Sequence, residues 1–183
     1  LPSSEPYRDK FMINGKMYTA LAPLIIDGGG NWIIGTEPIL TKEWKQTTLN
    51  ETFCAEGHFK HLPKDNFFLV INGKMERMGR SRLHQSHPLP AVTNLQADEW
   101  TIRGNDLYLR IRPGFLLHEY RLERSMRDTA FAFTGSPSQH IIVTNVKIKF
   151  TYNDGINIHA NRTGGALSGS KNLFFDDIRS DYN

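Results

Sequence analysis

Residues 138–159, SQHIIVTNVKIKFTYNDGINIH, restrict the fold more than any other part of the chain. A short apolar run (Ile141, Ile142, Val143) leads to Asn145, and an alternating run follows through Val146, Ile148, Phe150 and Tyr152. Asn153-Asp154-Gly155 then interrupts the pattern before a third run with Ile156 and Ile158. Side chains alternate with a period of two along a strand, so three short strands joined by polar corners are expected. No two-residue turn separates them, which argues against a series of hairpins. The arrangement that remains winds the strands around a common axis, with inward side chains stacking on the next turn, as in a parallel β-helix.

A second rung repeats the start of the first. In Ser170-Lys171-Asn172-Leu173-Phe174-Phe175-Asp176-Asp177-Ile178, Leu173 matches Ile141, Asp177 matches Asn145 and Ile178 matches Val146. The offset exceeds a lean coil of roughly 20–25 residues, and the Gly- and Ser-rich loop from Arg162 to Gly169 holds the excess. The closing Asp181-Tyr182-Asn183 echoes Thr151-Tyr152-Asn153, which sets Asp181 near the layer position of Tyr152. The expected fold class is all-β: the start of a right-handed parallel β-helix preceded by an irregular β-rich module. Residues 1–36 are read as N-terminal strands forming the first β-helix turn, 37–128 as the β-rich module, and 129–183 as incomplete β-helix coils. Further coils, or a second chain, are expected to cover the open end.

Elsewhere the signals are those of strands and turns. Glu99 to Arg103 and Leu107 to Arg110 flank Gly104-Asn105-Asp106, a strong hairpin pattern. Ile13-Asn14-Gly15-Lys16-Met17 recurs as Ile71-Asn72-Gly73-Lys74-Met75, and each Asn-Gly pair is expected to close a hairpin. Residues 24–35, LIIDGGGNWIIG, are read as strand, glycine bulge and strand, since no helix follows to make a phosphate cradle. Leu116 to Met126 has room for a helical turn or two. Trp32, Trp44 and Trp100 are read as core anchors.

The composition narrows the function classes. The formal net charge is +3, and the 22 Lys and Arg residues are scattered without a run of five, so no nucleic-acid partner is expected. No apolar stretch reaches 18 residues, so no membrane-spanning helix is expected. One cysteine, Cys54, cannot form an intrachain disulfide and is read as a small buried hydrophobe. The start, LPSSEPYRDK, lacks Met and a charged-then-apolar leader and reads as a processed product. His84 and His87, near Arg80 and Arg82, have a metal-like spacing without a third ligand, so no metal site is assigned.

Taken in order, EPILTKEW, FFLVINGKMERMGRSR, EWTIRGNDLYLRIRPG and HIIVTNVKIKFTYNDGINIH resemble secreted bacterial right-handed parallel β-helix proteins of the pectate lyase-like superfamily. That resemblance spans residues 37–183 and implies carbohydrate processing in a secreted or periplasmic setting. It implies a glycoside hydrolase using paired carboxylates. The alternatives are a polysaccharide lyase and a non-catalytic glycan-binding or adhesive β-helix. Asn153-Asp154-Gly155 resembles the Asn-Thr-Asp motif of polygalacturonase-type hydrolases without its Thr, and the later Gly-His-Gly and Arg-Ile-Lys motifs are absent.

Glycoside hydrolysis needs two carboxyl groups flanking the scissile bond, roughly 5–5.5 Å apart for retention and 6.5–9.5 Å for inversion. Neighbouring coils stand about 4.8 Å apart, so stacked acids meet these distances naturally. Asp154 is the first catalytic candidate, set at a strand end after Tyr152, on which a sugar ring can stack. Asp177, Asp181 and His159 complete the catalytic set, although Asp177 at a corner equally suits a stacked hydrogen-bond ladder. Tyr152, Asn153, Asn157, Arg162 and Asp176 are the substrate-binding candidates; Arg162 can meet a uronate carboxylate with two parallel hydrogen bonds. The expected partner is a carbohydrate substrate. No cofactor is expected, and calcium enters only with the lyase alternative.

Overall fold

The computed structural model describes residues 6–58, 67–76, 89–159, 161–163 and 166–181. It forms two compact units, one built from Leu1–Gly35 with Arg127–Asn183 and the other from Thr36–Met126. The architecture is all-β with a parallel β-helix. The first unit opens with β1 (Phe11–Ile13), β2 (Leu24–Asp27) and β3 (Trp32–Ile34). The second contains β4 (Thr36–Pro38), β5 (Trp44–Gln46), β6 (Thr52–Ala55), β7 (Leu69–Ile71), β8 (Lys74–Glu76), β9 (Trp100–Arg103), β10 (Asp106–Arg110) and β11 (Leu122–Ser125). The chain then returns to the first unit through β12 (Thr129–Phe133), β13 (Gln139–Lys149), β14 (Asp154–Ile158), β15 (Asn161–Thr163), β16 (Ala166–Ser168) and β17 (Lys171–Asp181).

The first unit has two parallel sheets. In one, β12 pairs with β1 and with β14, so Phe131 faces Phe11 on one side and Ile156 on the other. In the other, β13 pairs with β2 and β3 on one side and with β17 on the other, all parallel. Each pair of sheet positions is one turn of the β-helix: β1 to β3, then β12 and β13, then β14 and β17. The β-rich module is spliced between the first turn and the second. Ile141 pairs with Leu173 and Val146 with Ile178, the register read from the repeat. The inward residues Ile33, Phe131, Phe133, Ile141, Val143, Val146 and Ile148 form one buried cluster, against which Leu24, Ile26, Leu173, Phe175 and Ile178 pack. Each fully buried side chain of this size contributes roughly 1.5–3 kcal/mol.

The rung from Ile141 to Lys149 is continuous rather than two strands, because Asn145 bends it without breaking its pairing. Asn145 (φ 54°) and Asp177 (φ 48°) both take the left-handed conformation at matching positions of β13 and β17. That region is open to Asn and Asp at small cost, and its single reversal lets inward alternation resume one residue later. The first turn makes the same bend with Gly28, Gly29 and Gly30: the Gly30 N–H donates to the Asn145 carbonyl at 2.8 Å, and Gly28 N–H to the Thr144 carbonyl at 3.0 Å. A Cβ on Gly28 would stand 2.6 Å from a Val146 methyl and 2.7 Å from the Asn145 carbonyl oxygen.

Three expectations are corrected. Asn72-Gly73 does close a hairpin, with Ile71 facing Lys74, both central residues at positive φ. Asn14-Gly15 does not: β1 runs parallel to β12, and Gly15 donates to the Ser136 carbonyl of the next turn while Asn14 Oδ1 accepts from Ser136 N–H at 2.6 Å. The same pentapeptide is therefore a β-helix corner in one place and a hairpin in the other. Secondly, Leu116 to Met126 holds a single 3₁₀ turn (Leu117–Glu119) and then β11, whose pairing to β4 and β7 wins over local helix. Thirdly, Ile158, expected inside, is half exposed, because β14 is an edge strand and Ile158 ends it.

The module packs two antiparallel four-stranded sheets, β5-β6-β10-β9 and β4-β11-β7-β8. Trp44, Trp100, Phe67, Leu69, Leu107 and Leu109 share its core, and Cys54 is buried. Within it the His58 ring Nδ1 meets the Arg124 guanidinium at 2.8 Å, with Glu43 3.7 Å from Nε2. Burial first, and then the Arg124 charge, push the His58 pKa below its ordinary value, against the opposing pull of Glu43.

Two outcomes are expected. Gly28→Ala lowers stability by about 1–3 kcal/mol, since the crowded corner must shift, and Asn145→Gly changes it little; thermal melting of both variants checks this. Because folding depresses the His58 pKa, the folded module binds fewer protons than the unfolded chain. Its stability is complete above the unfolded pKa of about 6.5 and falls as pH drops through it toward the folded value. Denaturant melts from about pH 7 to pH 5 show this slope, and His58→Gln flattens it.

Candidate functional site

The start of β14 gathers the first group of candidates. Asp154 is half-buried, and its Oδ2 accepts from the Asn153 and Asn157 side-chain amides, each at 2.7 Å. Two amide donors on one oxygen fix the carboxylate's orientation. Beneath it lies Asp128, an acid that the sequence pattern did not single out. The Asp128 carbonyl accepts the backbone N–H groups of both Asn153 and Asp154 at 3.0 Å, and Thr129 pairs with Asp154 across the ladder. The two aspartates thus sit on adjacent layers. Lys10 donates to both Asp128 carboxylate oxygens, at 2.8 and 2.9 Å, from the strand end of the first turn.

Tyr152 stands beside this pair. Its backbone N–H donates to the Arg127 carbonyl at 3.0 Å. Burial, and then the negative charge of Asp128, raise its phenol pKa, so the phenol keeps its proton at neutral pH. His159 is at the exposed far end of β14, where its backbone N–H donates to the Phe133 carbonyl. The Asn157 Oδ1 is buried without a hydrogen-bond partner, an acceptor within the same group. Missing from the sequence pattern were Asp128 and Lys10, because only the layer pairing places residues 10, 128 and 154 together.

The remaining acids belong to the other sheet, and the structure does not set them against Asp154. Asp177 is the left-handed corner stacked on Asn145. Asp176 points outward beside Thr144, and on the other side of Thr144 stands Asp27 of the first turn. Asp181 pairs with Lys149 and not at the Tyr152 layer, because the true offset carries β17 two residues past the echo read from the tail. It accepts from Arg179 Nε at 2.9 Å. Arg162 lies in β15 opposite Leu167 of β16. Trp32 is no core anchor: it is half-buried on this outer face, with the Lys149 ammonium 4.8 Å and the Arg179 guanidinium 5.4 Å from its ring centre.

His84 and His87, with Arg80 and Arg82, lie outside the described residues. Among the described residues no group of three or more His, Cys, Asp or Glu side chains is arranged to hold a metal ion. No helix among them is long and apolar enough to cross a membrane.

No protein-family model matches the chain, and no curated protein matches it. Among solved structures the chain is similar to one described as the complex of XylC with xylose, with a TM-score of 0.62 and 12% sequence identity. The superposition covers 95% of this chain and 33% of that one, so the chain spans about a third of its length. At this identity the likeness concerns the fold.

Removing the Asp128 charge isolates one cause of the Tyr152 shift. Asp128→Asn is expected to lower the alkaline titration midpoint of Tyr152, and Lys10→Met to leave that residue's burial effect in place. Ring-carbon chemical shifts followed against pH check both.

Proposed function

We propose that the chain forms the carbohydrate-active part of a β-helix glycoside hydrolase, working at the start of β14. The observation that carries this reading is the meeting of Asp128 and Asp154 on adjacent layers, where the Asp128 carbonyl accepts the Asp154 N–H, with Lys10 on one carboxylate and two asparagine amides on the other. Asp154 pairs with Thr129, so Asp128 is its diagonal neighbour. A retaining glycosidase needs its two carboxyl groups roughly 5–5.5 Å apart, a spacing open to acids on neighbouring strands about 4.8 Å apart. The fold likeness to a protein solved with xylose supports a sugar ligand. Secretion or a periplasmic location accords with a polysaccharide or oligosaccharide substrate.

In this reading Asp154, oriented by Asn153 and Asn157, is the nucleophile toward the anomeric carbon. The Lys10 ammonium, held by both Asp128 oxygens, gives the proton that the leaving oxygen needs, and the Asp128 carboxylate later takes one from the attacking water. Tyr152, neutral and half-buried, packs on a sugar ring and donates to a hydroxyl. Asp177 is a corner residue, His159 at the far end of β14 meets an outlying part of the glycan, and Asp176 and Asp181 belong to the other sheet.

Release of reducing ends from a panel of oligosaccharides by the full-length protein tests the proposal. Asp154→Asn is expected to lower turnover about 10²–10⁴-fold while leaving the melting temperature near that of the parent. Products analysed by proton NMR are expected to keep the anomeric configuration. An ultraviolet-absorbing unsaturated product on uronate polymers would instead establish a lyase. Glycan binding with no turnover, unchanged in Asp154→Asn, would establish an adhesive protein.

A further inference from the structure

The outer face of the β2-β13-β17 sheet carries a feature that the β14 cluster does not use. A cleft of about 410 Å³ is lined by Ala20, Pro23, His140, Ile142, Asn172 and Phe174. Its floor is apolar: Ile142 pairs with Ile25 on one side and Phe174 on the other, and both neighbours are 59% exposed. One rim is polar. His140 (φ 55°) and Asn172 (φ 52°) occupy matching left-handed positions, and the Asn172 amide meets the His140 ring at 3.3 Å. Two residues along the same face, Thr144 is flanked in register by Asp27 and Asp176.

An outward stack of Ile25, Ile142 and Phe174 is costly in water unless something apolar lies on it. His140 and Asn172 supply hydrogen-bonding groups at its edge, with the Asp27/Thr144/Asp176 row two residues further along the face. A mostly apolar cleft of this size with a few polar groups is the usual form of a small-molecule site. A pyranose ring has that amphipathic character, with a C–H face for the aromatic and aliphatic floor and hydroxyls at its edge. Carboxylates accept hydroxyl protons but repel anions, so the two aspartates select a neutral sugar over a uronate.

We infer that this groove is a second glycan-binding site, taking a neutral pyranosyl unit with its C–H face on Phe174 and Ile142 and its hydroxyls toward His140, Asn172 and the Asp27/Thr144/Asp176 row. The inference deepens the carbohydrate reading and rests on it. The groove is on the sheet opposite in role to the β14 cluster, so it holds the chain rather than cleaving it.

Titration calorimetry of the protein with xylohexaose, cellohexaose and mannohexaose tests it, beside the Phe174→Ala, Asp27→Asn/Asp176→Asn and Asp154→Asn variants. Phe174 is exposed, so its truncation is expected to leave the melting temperature in place. At least one oligosaccharide is expected to bind, about tenfold or more weakly to Phe174→Ala, more weakly to the double variant, and unchanged to Asp154→Asn. No binding by any of the three, or equal binding by Phe174→Ala and the parent, overturns the groove. If affinity follows Asp154 while Phe174→Ala is silent, the groove fails and the β14 reading stands. If Phe174→Ala weakens binding and no glycan is hydrolysed, the groove stands and the hydrolase reading fails.

Discussion

Parallel, in-register pairing of β13 with a neighbour on each side is the constraint on which the first unit depends. Its eleven residues bond to β2 and β3 below and to β17 above. Such pairing satisfies the backbone of a long strand on both edges and stacks like residues upon like. The left-handed corner is what makes the register unique. With Asn145 on Asp177, a slip of one residue would put a bend against an extended segment and turn Val143 and Val146 outward. Gly28 is held to a hydrogen side chain by the same stacking, because Val146 and the Asn145 carbonyl press on it.

The candidate site follows from the same geometry. A β-helix brings residues far apart in the chain to one place by layer, not by loop. Lys10 and Asp128 are 118 positions apart, yet Lys10 reaches both oxygens of the carboxylate. The inserted module accounts for most of that separation and leaves the layer spacing as it was. The two sheets of the β-helix then offer different chemistry: an oriented acid pair with a lysine at the start of β14, and an amphipathic groove on the face of β13 and β17. Under the carbohydrate reading proposed above, a glycan is long enough to use both surfaces, and weak contacts spread along it add up.

The acids show where local pattern stops being informative. Asp154 could be singled out because an Asn-Asp-Gly corner after an alternating strand has a recognisable form. Asn157 follows from strand alternation, although its bond to Asp154 Oδ2 needed the actual corner geometry. Asp128 has no such mark: it sits before an apolar strand and looks like any turn aspartate. Asp181 sits at another layer than its echo implies for a related reason. A short echo in the tail suggested one offset, whereas the many paired residues of β13 and β17 enforce another. Trp32 departs from its core reading because a large aromatic next to Ile33 and Ile34 looks like core, while strand parity in this rung sends it outward to Lys149 and Arg179.

By itself the sequence determined that strands of period two alternate with Asn, Asp and Gly corners, that one rung repeats another, and that a β-rich segment separates the first turn from the rest. These are local properties: alternation, turn chemistry and left-handed tolerance all act within a few residues. Only the tertiary structure decided that Asn14-Gly15 is a corner while Asn72-Gly73 is a hairpin, since the choice depends on whether a parallel neighbour or an antiparallel one takes up the flanking hydrogen bonds. Only it chose which acids share a layer, because register across long separations is set by the summed burial of Phe131, Phe133, Ile141, Val143, Val146 and Ile148, and no short stretch carries that sum.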